Sequence, residues 1–154
     1  MLLRTCTINS YLYLPSADTL FSEHGAVPNQ LTTNQFIESK NGRYRLYMQN
    51  DGHVVLYNGK PTSQSAMWGS NTAVGGGRAP FRLTMQLDGN LVAYDKDNKT
   101  VWNFFGNGFK NYGFQGPFRA HLSDTGVFAV FDSNDNVMWQ TGTLNGAMAP
   151  RDLW

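Results

Sequence analysis

The chain has 154 residues, of which 15% are charged, 14% are aromatic and 16 are glycine, with a formal net charge of +1. That length suits one domain that buries a core without metals or disulfides, and the scattered, nearly balanced charge argues against a nucleic-acid face or an anionic-membrane face. Cys6 is the single cysteine, which leaves no intrachain disulfide framework and no cysteine-based zinc site.

Residues 1–17 stand outside the pattern that organises the rest. Ile8 to Leu14 alternates Ile, Ser, Leu and Leu against Asn, Tyr and Tyr until Pro15, which predicts an extra edge strand or a packed arm. Met1 to Ser10 lacks the sustained apolar stretch of a secretory signal, and no segment reaches the length of a membrane span. The expectation is a cytoplasmic or non-classically secreted protein. From Asp18 to Ile37 three short apolar pieces follow, Thr19-Leu20-Phe21, Gln30-Leu31 and Phe36-Ile37. Asn41-Gly42 then sits between alternating runs as a hairpin signal.

Arg43 to Tyr57 reads RYRLYMQNDGHVVLY, and Phe81 to Tyr94 reads FRLTMQLDGNLVAY. Gln49 and Gln86 are 37 residues apart, as are Tyr57 and Tyr94. A third copy at that offset, Phe118 to Phe131, sets Leu122, Gly126, Phe131 and Asp132 on Met85, Gly89, Tyr94 and Asp95. A turn and a tryptophan follow each copy, at Trp68, Trp102 and Trp139. The repeat predicts roughly four short strands per unit, forming three small sheets packed on their apolar faces. The three tryptophans are expected to fill the shared core.

Two connections differ from the rest. Gly75-Gly76-Gly77 marks a flexible crossing between the first two units. Residues 103–117 gather Phe104, Phe105, Phe109, Tyr112 and Phe114, expected to fold back on the adjacent sheet or, if exposed, to meet a partner.

The stretch Gln86 to Tyr94 carries the chemistry. Read as an extended strand, Gln86, Asp88, Asn90, Val92 and Tyr94 share one face, and Leu87, Leu91 and Ala93 turn to the core with Gly89 at a bend. Two amides, a carboxylate and a phenol around a small aliphatic patch suit a neutral, hydroxyl-rich ligand such as a sugar.

These residues resemble the Q-x-D-x-N-x-V-x-Y motif of the monocot mannose-binding, or bulb-type, lectins, and the triple repeat and its tryptophans resemble that family over about residues 18–143. The resemblance implies an all-β, β-prism II fold: three four-stranded antiparallel sheets around a pseudo-threefold axis, with a mannose site on each sheet that keeps the motif. It implies that Asp88 and Asn90 bind the 2-hydroxyl, Gln86 the 3-hydroxyl and Tyr94 the 4-hydroxyl, with Val92 on the ring carbons. The first unit keeps Gln49, Asp51, Val55 and Tyr57, but His53 replaces the asparagine and either takes over its bond or blocks the 2-hydroxyl. The third unit has Ser123, Thr125, Val127, Ala129 and Phe131, which lack the carboxylate, the amides and the phenol, so sugar binding is not expected there. Asp124 is one residue out of phase, and Phe128 and Phe131 are read as core or as a subunit surface.

No metal or cofactor is expected. Partners are mannose-containing glycans and glycoproteins, bound without catalysis and made multivalent by the repeats and by a homodimer through the tail, residues 144–154. Agglutination and defence are what the family suggests. The alternative is a β-prism scaffold for protein interaction with reduced sugar binding. A hydrolase would need paired carboxylates that Asp51, Asp88 and Asp95 do not provide at any suitable spacing.

Overall fold

In the computed structural model, residues 17–25, 28–72, 76–105 and 110–142 are described. Outside them lie the expected arm up to Ser16, with its Ile8–Leu14 strand and Cys6, then Gly75, Phe109, and the tail from Leu144 to Trp154.

The described residues form twelve strands and no helix. They are β1 (Thr19–Phe21), β2 (Gln30–Thr32), β3 (Phe36–Glu38), β4 (Tyr44–Met48), β5 (Val54–Asn58), β6 (Ala66–Gly69), β7 (Arg82–Met85), β8 (Leu91–Tyr94), β9 (Thr100–Asn103), β10 (Arg119–Leu122), β11 (Phe128–Phe131) and β12 (Val137–Gln140). Three four-stranded sheets result, in the orders β3-β4-β5-β6, β2-β7-β8-β9 and β1-β10-β11-β12. Every pairing within them is antiparallel. This is the β-prism II architecture.

Each repeat contributes three strands to its sheet rather than the four expected. A three-stranded meander leaves a row of unpaired backbone groups on its first strand. The segment ahead of the repeats covers all three of those edges, with β3 on β4, β2 on β7 and β1 on β10. Its central residues Leu20, Leu31 and Ile37 are each 0% exposed, which ties it to the core. Just past each short strand a hydroxyl accepts a backbone N–H from the start of a repeat: Ser39 from Tyr44, Thr33 from Phe81 and Ser22 from Phe118, at 3.0, 2.6 and 2.7 Å.

Tyr44, Phe81 and Phe118 stand 37 residues apart and lock the sheets to one another. The turn glycines Gly52, Gly89 and Gly126 have φ of 84°, 92° and 81°, which side chains rarely adopt. An added Cβ would lie 3.0 Å from the Phe81 ring at Gly52, 3.0 Å from Phe118 at Gly89 and 2.8 Å from Tyr44 at Gly126. The turn of each repeat therefore seats the aromatic ring of the next, and the third seats that of the first. The ring of sheets is closed.

At the axis Trp68, Trp102 and Trp139 meet edge to face, with centroids 5.5 to 5.9 Å apart and interplanar angles of 67° to 72°. Each such pair adds about 0.5–1.5 kcal/mol beyond burial. Trp139 is buried to 1% and Trp102 to 5%, as core residues should be. The aromatics of residues 103–117 divide: Phe104 is 0% exposed and Phe105 and Phe114 pack on the core, whereas Tyr112 is 76% exposed.

Candidate functional site

The Gln86-to-Tyr94 stretch is not one extended strand. The Gln86 amide donates to the Asn90 carbonyl at 2.9 Å and the Gly89 amide to the Gln86 carbonyl at 3.1 Å, so residues 86–90 make the turn between β7 and β8. Asp88 holds that turn by accepting the Asn90 N–H at 2.9 Å, the local bond that makes aspartate a turn residue. Leu87 is consequently 65% exposed rather than in the core, because the turn rotates it outward. Leu91 and Ala93 are in β8 and are buried to 0%.

The hairpin still brings Gln86 and Tyr94 together on the face of Val92, beside the turn that carries Asp88. The hairpin pairs Arg82 with Tyr94 and Thr84 with Val92, and side chains opposite each other in an antiparallel pair share a face. Across the hairpin Gln86 Nε2 donates to the Tyr94 hydroxyl. Tyr94 keeps its own proton for an outside acceptor. Asp88 is exposed, and among the described residues its second oxygen accepts no bond. Val92, 3% exposed, is the apolar floor. Asn103 lies opposite Val92 on β9. Asn111 reaches in from the aromatic connection to donate to the Asp88 carbonyl at 3.2 Å. The Oδ1 atoms of Asn90, Asn103 and Asn111 are buried without a partner, so this face keeps hydrogen-bonding capacity that the fold does not use.

The first repeat reproduces the skeleton. Gln49 donates to the His53 carbonyl at 2.9 Å, and Asp51 accepts the His53 N–H at 2.9 Å. Gln49 Nε2 donates to the Tyr57 hydroxyl, as at the second face. Burial raises the Tyr57 pKa, the bond from Gln49 lowers it, and burial prevails. The difference is His53. Its Nε2 accepts the Asn71 N–H at 2.9 Å, and a Cβ placed on Gly69 would lie 2.4 Å from that same atom. The imidazole thus fills the space over Gly69, where the second face carries Asn103. With Nε2 accepting, the neutral ring carries its proton on Nδ1. Burial lowers its pKa against the opposing pull of Asp51.

The third repeat keeps only the turn. Ser123 and Gly126 make its backbone bonds, and the Ser123 hydroxyl pairs at 2.8 Å with Thr125, which stands where the other repeats carry the carboxylate. Val127 is half-buried, Ala129 stands where Val92 stands and Phe131 where Tyr94 stands, without a hydroxyl. Phe128 is core at 0% exposed. Asp124 is in the turn, where it accepts the Asn41 N–H at 2.8 Å and binds the β3–β4 hairpin.

Two contributors escaped the sequence reading although one of them repeats at the same offset. Arg45, Arg82 and Arg119 are 37 residues apart, each opposite the last aromatic of its motif. Arg82 lies 4.6 Å from the Tyr94 ring centroid and Arg119 4.6 Å from that of Phe131. Arg45 lies instead over Phe36 at 5.3 Å and pairs with Glu38 at 2.6 Å. Asn111 is the other, and nothing local to its sequence ties it to the motif. Among the described residues no group of three His, Cys, Asp or Glu is placed to hold a metal ion, and no helix is long and apolar enough to cross a membrane.

Solved structures share this fold. Native Tarin lectin is 34% identical, with 74% of this chain and 85% of that one covered and a TM-score of 0.55. The Polygonatum cyrtonema lectin complexed with monomannoside is 30% identical over 75% and 89% of the two chains, at a TM-score of 0.56. The mannose-specific agglutinin from snowdrop (Galanthus nivalis) bulbs, complexed with methyl-α-D-mannoside, is 28% identical over 76% and 91%, at a TM-score of 0.58. No protein-family model matches the chain, and no curated protein sequence matches it.

Proposed function

The chain belongs to the bulb-type mannose-binding lectins and is a carbohydrate-binding lectin, and from that premise we propose that it recognises mannose or high-mannose glycans, through the second face first and the first face as a modified copy. One observation carries this reading: Gln86 bonds to Tyr94 on the face that holds Val92, leaving the Tyr94 proton for a ligand, and Asp88 in the adjoining turn keeps one oxygen free of protein bonds. Snowdrop agglutinin and the Polygonatum lectin are complexed with mannosides, which supports the choice of sugar. Asp88 with Asn90 would take the axial 2-hydroxyl, Gln86 the 3-hydroxyl and Tyr94 the 4-hydroxyl. On the first face Asp51, Gln49, Tyr57 and Val55 would do the same without the asparagine amide.

Asp51 and Asp88 lie in the turns of different sheets, which supports binding without hydrolysis. About four hydrogen bonds of on the order of 1 kcal/mol each, with the one to the Asp88 carboxylate the strongest, give roughly millimolar affinity for one sugar. Two faces on one chain, and more in a dimer through residues 144–154, would raise the avidity for branched glycans.

Calorimetric titration tests the reading. Methyl α-mannoside should bind and methyl α-glucoside, with an equatorial 2-hydroxyl, should not. Asp88→Ala should weaken the second face about tenfold or more, since bonds to a charged group contribute about 1.5–3 kcal/mol. Asp51→Ala with Asp88→Ala should abolish the heat. Undiminished binding in that double variant refutes the assignment.

A further inference from the structure

Resting on the reading of the first face as a mannoside site, we propose that this face takes a disaccharide or longer glycan, with the second pyranose ring lying on Tyr47 and Phe36. The second face, by contrast, reads a single terminal sugar.

The sheet registers place three rows side by side. Phe36, Tyr47, Val55 and Gly69 face one another across β3, β4, β5 and β6. On the second sheet the same positions are Gln30, Thr84, Val92 and Asn103. On the third they are Thr19, His121, Ala129 and Gln140. Only the first row continues the apolar floor outward from the valine with aromatic rings.

Phe36 and Tyr47 are half-buried and packed against each other, with centroids 4.7 Å apart and planes tilted by 32°. Tyr47 in turn packs edge to face with Tyr57, the phenol that accepts from Gln49, with centroids 5.7 Å apart. The platform is therefore continuous with the hydrogen-bonding set. Neighbouring strands are about 4.8 Å apart, so Tyr47 and Phe36 extend the floor by about 5 and 10 Å from Val55. That is room for one more pyranose ring.

The occupant follows from what borders the rings. An aromatic surface suits the C–H face of a sugar, but its hydroxyls need polar partners at the edge. The Arg45–Glu38 pair provides them, with side chains 31% and 19% exposed and the guanidinium over Phe36. On the second sheet the matching arginine, Arg82, is over Tyr94 and donates to Asn98 at 2.8 Å. Thr84 is bonded to Gln30 at 3.5 Å, so the neighbouring position is polar and lacks an aromatic ring.

The test isolates the first face in an Asp88→Ala protein and titrates methyl α-mannoside against a panel of methyl α-mannobiosides. At least one mannobioside should bind about three- to tenfold more tightly than the monosaccharide, the range one aromatic contact supplies. Replacing the pair by its second-sheet counterparts, Phe36→Gln with Tyr47→Thr, should erase that preference and leave methyl α-mannoside unchanged. The reciprocal graft, Gln30→Phe with Thr84→Tyr in an Asp51→Ala protein, should create a preference on the second face, so the idea stays testable if the first graft unfolds. A mannobioside preference that survives the first graft, or a graft that weakens both ligands equally, overturns the proposal. Complete absence of mannoside binding in the Asp88→Ala protein would also overturn it, by removing the first face as a site. That outcome is distinct from retained methyl α-mannoside binding without a disaccharide gain.

Discussion

The first and second faces share one hydrogen-bonding skeleton and differ in how they fill the strand beside it. Both carry a glutamine bonded to a tyrosine hydroxyl and an aspartate bonded into its own turn. One then combines a bulky His53 with Gly69, and the other a smaller Asn90 with Asn103. The lesson is that the motif position and the residue across the sheet form one volume. A histidine is tolerated there because a glycine makes room for it.

The largest effect should come from breaking that match. Gly69→Asn copies the second face, but its Cβ would start 2.4 Å from His53 Nε2. The ring must leave and give up the Asn71 N–H, so the substitution should cost about 1–3 kcal/mol. His53→Asn in the same chain should restore most of the loss, since the pair then matches the second sheet. Urea denaturation of the two single variants and the double variant measures this coupling. Additive effects would mean that the two positions do not share a volume.

A smaller effect separates the faces by pH. Burial holds the His53 pKa below its ordinary value, while Asp51, the charged neighbour, pulls the other way. Protonation at Nε2 also displaces the Asn71 N–H. A lowered folded-state pKa means that the contribution of the neutral ring is complete above about pH 6.5 and is lost as the pH falls through the folded value. Between about pH 7 and 5, wild-type stability should therefore drop more than that of His53→Asn, and sugar binding should change at the first face alone. Asp95 does not intrude on this window: burial raises its carboxyl, but the N–H groups of Lys99, Asp97 and Arg78 outweigh that and leave it below the ordinary carboxylate value. Parallel denaturation curves for the two proteins across this range would remove His53 from the argument.

Why some of this was legible in the chain and some was not follows from the distances involved. The threefold plan, the tryptophan core and the contrast between complete and depleted motifs all repeat at 37 residues and survive as pattern. Leu87 leaves the core that strand alternation predicts for it because a turn breaks the alternation at Asp88-Gly89. The fourth strand of each sheet comes from outside the repeat and leaves no pattern, because β1, β2 and β3 are three residues each, too short for a period of their own. The fit of His53 against Gly69 joins β6 to the turn before β5, a contact that no local pattern encodes. The arginines at 45, 82 and 119 repeated in plain view, but their stacking depends on which partner each finds across the sheet.

Those arginines allow the finest test of the comparison. Arg82 covers Tyr94 at 4.6 Å and is steered by Asn98, so it holds the phenol proposed to meet the sugar. Lysine keeps the charge but loses the planar fork and the stacking. Arg82→Lys should weaken methyl α-mannoside binding at the second face about two- to fivefold, in line with about 0.5–1 kcal/mol for an exposed cation–π contact. Arg45→Lys should leave the monosaccharide affinity of the first face unchanged, because Arg45 is drawn to Glu38 and Phe36. Arg119→Lys should alter no sugar titration, since Phe131 offers no hydroxyl to position. Equal losses from Arg45→Lys and Arg82→Lys would show that the arginine acts through general charge, and the two faces would then differ less than their stacking indicates.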